Sequence, residues 1–75
     1  MHIAFRITDR VVDKVCSCPN YDKAIEKAVE LCMERCDDDK EYIKNILEKD
    51  NDFWWGSEND GWTVYVLEVS EKYKS

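Results

Sequence analysis

Polar and apolar residues alternate from the start of the chain. In HIAFRIT, Ile3, Phe5 and Ile7 fall on one side of an extended backbone and His2, Ala4, Arg6 and Thr8 on the other. That pattern predicts a half-buried strand. After Asp9-Arg10, VVDKVCSC continues with β-branched residues. It reads as a second, weaker strand or an extended arm that ends at Pro19, since the residue before a proline is pushed toward extended backbone.

The period then lengthens. In NYDKAIEKAVELCMERC, the residues Tyr21, Ala24, Ile25, Ala28, Val29, Cys32 and Cys36 recur three and four apart, which draws one apolar stripe along a helix. Asn20 is placed to cap it, and Asp22 sits in the first turn, where the helix dipole favours an anion. DDDKEYIKNILEK predicts a second, shorter helix. Asp38 and Glu41 are spaced as a capping box, with Asp in place of the usual Ser or Thr, and Tyr42, Ile43, Ile46 and Leu47 form its buried side.

Period two returns in the last third. DFWW and WTVYVLEV flank GSENDG, and Asn59-Asp60-Gly61 is turn chemistry. A β-hairpin over 53–69 is expected, with a loop longer than the two-residue minimum. The order strand or strands, helix, helix, hairpin predicts one α+β domain over residues 1–75: an antiparallel sheet packed against two helices.

Three tryptophans lie in this hairpin. Neighbouring strand residues point to opposite faces, so Trp54 and Trp55 cannot both enter the core of a regular strand. One ring is expected buried and the other exposed, unless a bulge intervenes at Gly56. Trp62 shares a face with Val64, and Tyr65 with Leu67. Two roles are open to the outward aromatics. They pair across strands, for about 0.2–1 kcal/mol each, or they anchor a partner, since Trp and Tyr are enriched at binding hot spots.

Composition narrows the choice. A chain of 75 residues holds one core, which at this size supplies only about 3–5 kcal/mol. With 44% hydrophobic residues, two glycines and one proline it is globular rather than disordered, even though 37% of residues are charged. The net charge of −6 is concentrated. Residues 34–60 hold ten acids against Arg35, Lys40, Lys44 and Lys49, while the flanking segments balance. Such a segment repels phosphate backbones, so direct nucleic-acid binding is disfavoured. It attracts basic protein surfaces instead. The candidate contact residues are therefore Asp50, Asp52, Glu58 and Asp60, with Trp54, Trp55 and Trp62 as apolar anchors.

The four cysteines pair by spacing: Cys16 with Cys18 two apart in an extended segment, Cys32 with Cys36 four apart on a helix. Four thiolates on converging faces form a tetrahedral zinc site in some proteins, but C-x-C…C-x3-C matches no common zinc module. Cys32 and Cys36 already lie on the apolar stripe, where a free Cys packs as a small hydrophobe, so buried thiols are expected and no metal is assigned. Nor is catalysis or a cofactor expected. The one histidine, His2, opens the chain; Asp37-Asp38-Asp39 lacks the alternation and glycine of a calcium loop; Gly56 and Gly61 are too few for a phosphate-binding loop. An enzyme would instead need a polar pocket around His2 and the cysteines. MHIAFRITDR places Arg6 and Asp9 where a secretory signal would be apolar, and no stretch is long enough to span a bilayer. A cytoplasmic location with reduced thiols is expected on that ground.

In type, the acidic segment DDDKEYIKNILEKDNDFWWGSEND, in so small a chain without a catalytic motif, resembles the small acidic proteins with which bacteriophages disable host machinery, anti-CRISPR proteins among them. The resemblance implies a compact domain without catalytic residues that blocks the nucleic-acid site of a Cas protein with carboxylates. A non-enzymatic inhibitor of a basic, nucleic-acid-handling host protein is the function expected. A zinc-stabilised accessory domain and a self-associating domain stay open. A hairpin edge and an aromatic face can also pair with their own copy as a homodimer.

Overall fold

Thr8 pairs with Val11 across a connection of only two residues, Asp9 and Arg10, both at positive φ (54° and 69°). This is the geometry of a tight turn whose twist matches the strands it joins. It sets β1 (His2–Thr8) beside β2 (Val11–Cys18), so the VVDKVCSC segment is a true strand. The chain continues through α1 (Tyr21–Met33) and α2 (Lys40–Asp50) into β3 (Asp52–Ser57) and β4 (Asp60–Glu68) in a computed structural model that describes residues 1–57 and 60–69. The strands form one antiparallel sheet in the order β2-β1-β4-β3, and both helices pack on one face of it. The fold is thus a two-layer α+β domain.

Local sequence accounts for the helix ends. Asn20 caps α1 by accepting a hydrogen bond from the Lys23 N–H at 2.9 Å. The cap of α2 is Asp39, one residue later than expected, and it accepts from the Glu41 N–H at 3.3 Å. Asp38 instead accepts from the neighbouring Asp39 N–H, which leaves no reciprocal box. At its far end α2 stops on Asn51, which takes the left-handed conformation at φ 64°. The Asn51 side chain accepts from the Tyr21 hydroxyl at 3.3 Å, and its carbonyl accepts from the Val66 N–H at 2.9 Å. One residue therefore ties α2, α1 and β4 together.

The core lies between the layers. Ala24, Ala28 and Cys32 of α1 are fully buried, as are Ile43 and Leu47 of α2, beneath which lie Ala4, Val64, Val66 and Phe53 of the sheet. Tyr42 is exposed, contrary to the periodicity, because Ile43 and Leu47, with Ile46 partly buried beside them, complete the contact side of this short helix.

The orientation of β1 runs against its apolar pattern. The helices cover the face that bears Ala4 and Arg6, while Ile3, Phe5 and Ile7 point the other way. Two causes act together. Ala4 lets Ala24 and Ala28 approach closely, and Arg6, although only 3% exposed, has all three guanidinium nitrogens hydrogen-bonded. Nε and Nη2 donate to the two Asp13 oxygens (3.0 and 3.2 Å), and Nη1 donates to the Leu31 carbonyl and to Glu34 (both 2.9 Å). The register shifts between Arg6 and Ile7, and this bulge in β2 delivers Asp13 to the fork. α1 has no basic residue in its last turn, so Arg6 supplies from the sheet the cation that a helix C-terminus favours.

Burial alone would weaken the charge on Arg6, but the hydrogen bonds it donates to Asp13 and Glu34 outweigh burial and raise its pKa above the ordinary value. The hydrogen bond from Arg6 in turn holds the Asp13 carboxyl below its ordinary 3.8. A depressed carboxylate pKa stabilises the fold at neutral pH, and this contribution is lost as pH falls through the folded-state value.

Two outcomes are expected from unfolding measurements. Asp13→Asn should cost about 1–3 kcal/mol at neutral pH by leaving Arg6 under-paired, and it should flatten the loss of stability below 3.8. An unchanged acid limb would mean Asp13 is not the titrating partner. Arg10→Gly should stabilise by about 0.5–1 kcal/mol, because a side chain at φ 69° is strained where glycine is not. A lower melting temperature for this variant would refute the turn geometry.

Candidate functional site

β3 and β4 pair regularly from Asp52↔Tyr65 through Trp55↔Trp62 to Ser57↔Asp60. Only residues 58–59 join them, a shorter connection than expected, and Asp60 and Gly61 belong to β4 rather than to the turn. No bulge forms at Gly56, which pairs with Gly61. Gly56 does take φ 125°, a value open to glycine and strained for other residues.

This pairing decides the fate of the three tryptophans. Trp62 lies on the helix face, 6% exposed, with its ring 6.2 Å from that of Phe53. It is a core residue, so its expected role as a contact anchor is withdrawn. Trp54 is 60% exposed and Trp55 40%, so neither ring of the pair is buried, against the expectation that one would be. Alternation still holds, with the two rings on opposite faces. Phe53 and Trp62 take the inward places over the core, while Trp55 lies farther along the edge strand toward the hairpin end. Trp54, Trp55 and Gly56 line a shallow hollow of about 430 Å³.

Carboxylates border this corner. Asp50 is exposed at the last residue of α2. Asp52 follows two residues later, half-buried and opposite Tyr65, on the same side as Trp54. Glu58 and the Asp60 side chain lie outside the described residues. The Trp54 side of the sheet is apolar well beyond the corner. Phe5 stacks on Tyr65 with ring centroids 5.2 Å apart, and Ile3, Ile7, Val15 and Leu67 surround this pair by register. Among the described residues at these outward positions, Asp52 is the one charged side chain. Tyr65 and Leu67 share that outer face, as their spacing from Trp62 and Val64 implied. The Phe5–Tyr65 stack has no signature in the sequence, because strand order alone brings the two residues together.

Elsewhere the geometry offers less chemistry. Cys18, Cys32 and Cys36 are buried, Cys16 is half-buried, and all four are free thiols. Cys18 donates weakly to the Cys16 carbonyl. Among the described residues no group of three or more His, Cys, Asp or Glu side chains is arranged to hold a metal ion. Burial pushes the Cys32 thiol up to about 12, which suits a packed hydrophobe rather than a nucleophile. Burial also raises the Cys18 thiol. His2 is held more firmly than a chain start suggests. It sits within β1, half-buried, edge-on to Tyr21 at 5.7 Å, and its Nδ1 has no hydrogen-bond partner. Between α1 and α2 runs a groove of about 570 Å³, with Ile25 and Val29 in its lining. Asp22, Glu26, Glu30 and Glu48 face Lys40 and Lys44 along it, a mixed lining that selects no charge. Among the described residues no helix is long and apolar enough to cross a membrane.

Comparison with protein families, curated proteins and solved structures finds no match to this chain.

Thiol labelling of the native protein, mapped by mass spectrometry, should modify Cys16 first. Cys32 should react only when the protein unfolds. Equal reaction of all four in the folded state would show that the helix layer does not seal the core.

Proposed function

We propose that this domain is a non-enzymatic protein-binding inhibitor or regulator whose partner is a basic, nucleic-acid-handling protein. One observation carries the proposal: two tryptophans remain exposed on opposite sides of the same edge strand, beside Asp50 and Asp52. Two large rings left largely in water contribute little of the burial energy they could give the fold, and exposed aromatic surface marks interfaces. Among the described residues no strand pairs with the outer side of edge strand β3, and such a row of backbone groups is one that extended segments of other proteins can use for pairing.

The division of labour follows from range. Carboxylates act at a distance, steering a basic surface into place and competing there with nucleic-acid phosphates. Tryptophan acts on contact, because its area counts only once water has left. The resemblance to the small acidic inhibitors of bacteriophages supports the same assignment.

The partner is first isolated by pull-down, and its association and dissociation rates are then measured at two salt concentrations. Changing Asp50, Asp52 and Asp60 to Asn and Glu58 to Gln should slow association about tenfold at low salt, with little effect at high salt. Trp55→Ala should instead speed dissociation about 30-fold, the effect of a hot-spot residue worth about 2 kcal/mol. Both variants should keep their fold, since exposed charges contribute little to it. Association that ignores salt and all four charge changes would reduce the acidic segment to a solubility device and end the proposal.

A further inference from the structure

β1 presents its more apolar side away from the helices. Strands in two-layer folds normally bury that side and wet the other, because a one-residue change of register exchanges the two sets. In this protein the inward set includes a buried arginine, while the outward set is Ile3, Phe5 and Ile7. The neighbouring strands add Val15, Tyr65 and Leu67 to the same surface, and Val15 and Leu67 are 61% and 48% exposed. Among the described residues no element covers this face.

We propose that the outer face of the sheet is an interface between two copies of this chain, packed face to face. Three features select a second copy over another occupant. The first is charge: Asp52 is the one charged residue among the described outward positions, and it lies on edge strand β3, so two such faces can meet without burying a charge at the centre. A basic partner would find nothing to pair with across most of this surface. The second is shape. A sheet face is self-complementary, and two of them pack about 10 Å apart with strand directions within about 30°. The central Phe5–Tyr65 stack gives each copy a raised aromatic ridge to set against the aliphatic side chains of the other.

The third is area. Four strands about 4.8 Å apart and about seven residues long at about 3.3 Å each give a flat footprint of roughly 440 Å² per copy. Two copies remove roughly 900 Å² as flat footprints, which is the size of a weak interface, below the standard range that starts at about 1,200 Å². The result is an isologous dimer of modest size, with β3 edges and acidic corners at its periphery.

The dimer face takes in Trp54 and Asp52 at its β3 side, so a second copy and a basic partner compete there, and salt separates the two. Each chain carries −6, so screening removes repulsion between copies and the dimer tightens as salt rises, whereas binding to a basic partner weakens. Sedimentation analysis of the full chain should give twice its 8.9 kDa mass, with self-association strengthened by salt. Val15→Lys and Leu67→Lys replace exposed residues, so the fold should be retained (checked by circular dichroism) while the mass falls to that of one chain. Trp55→Ala should leave the dimer intact. Isotope-filtered NMR on a mixed-label sample gives a test free of mutation, with contacts expected between the Phe5 and Tyr65 rings of the two copies. A wild-type protein that is monomeric at every concentration and salt would overturn the proposal. So would a dimer whose intermolecular contacts run along β3, or one indifferent to both lysine substitutions.

Discussion

The guanidinium of Arg6 is the constraint from which the rest of this small domain follows. It is taken out of water in the middle of the sheet, and an arginine cannot shed its proton to relieve the cost. Each of its three nitrogens therefore needs a partner, and the partners come from separate parts of the chain: Asp13 from the bulge in β2, Glu34 from the end of α1, and the Leu31 carbonyl from the last helical turn. Asp13 is itself shared, accepting from Thr8 and from Arg35 at 3.1 Å each. A single charged cluster thus fixes the position of α1 along the sheet, the place of the bulge and the face of β1 that turns inward. Because strand side chains alternate, turning Arg6 inward turns Ile3, Phe5 and Ile7 outward.

The two edges of the sheet are unlike for related reasons. On β2 the bulge, Asp13 and Lys14 interrupt a flat pairing surface, which is how natural sheets discourage unwanted strand addition. On β3 the described residues contain neither a bulge nor a basic residue, and the strand carries its two exposed tryptophans instead. Among the described residues the β3 edge thus carries none of the interruptions that guard the β2 edge.

Much of the architecture was legible in residue patterns, and the failures share a cause. Helix spacing located both helices, Asn20 marked the first cap, and the return to period two located the hairpin. The orientation of β1 was hidden because alternation reports that two faces differ and not which one the helices cover. Ala4 looks neutral in a sequence until the small side chains of Ala24 and Ala28 are seen above it, and Arg6 looks solvated until its three partners are found. Trp54 and Trp55 misled for a similar reason. Alternation put them on opposite faces, but the helix layer leaves the hairpin end of β3 uncovered, so the inward direction is not the interior there. Tyr42 shows the same limit on a short helix, where the spacing marks a side wider than the one that makes contact.

The order of strands has a kinetic meaning as well. β1 with β2 and β3 with β4 are hairpins, each closed by a connection of two residues, so their chain entropy is lost in small local steps. The middle of the sheet is different. β1 pairs with β4 from His2↔Glu68 to Thr8↔Trp62, and the Val69 N–H donates to the Met1 carbonyl at 2.8 Å. This seam is the sole strand pairing among the described residues that must bring distant parts of the chain together, and it runs beneath α1. Arg6 lies in it, opposite Val64. The largest loop-closure cost of folding therefore falls at the strand whose charge is hardest to bury. A chain that closed the seam before α1 and the β2 bulge were in place would trap an unpaired guanidinium, so the cluster that orders the native sheet also penalises its premature assembly.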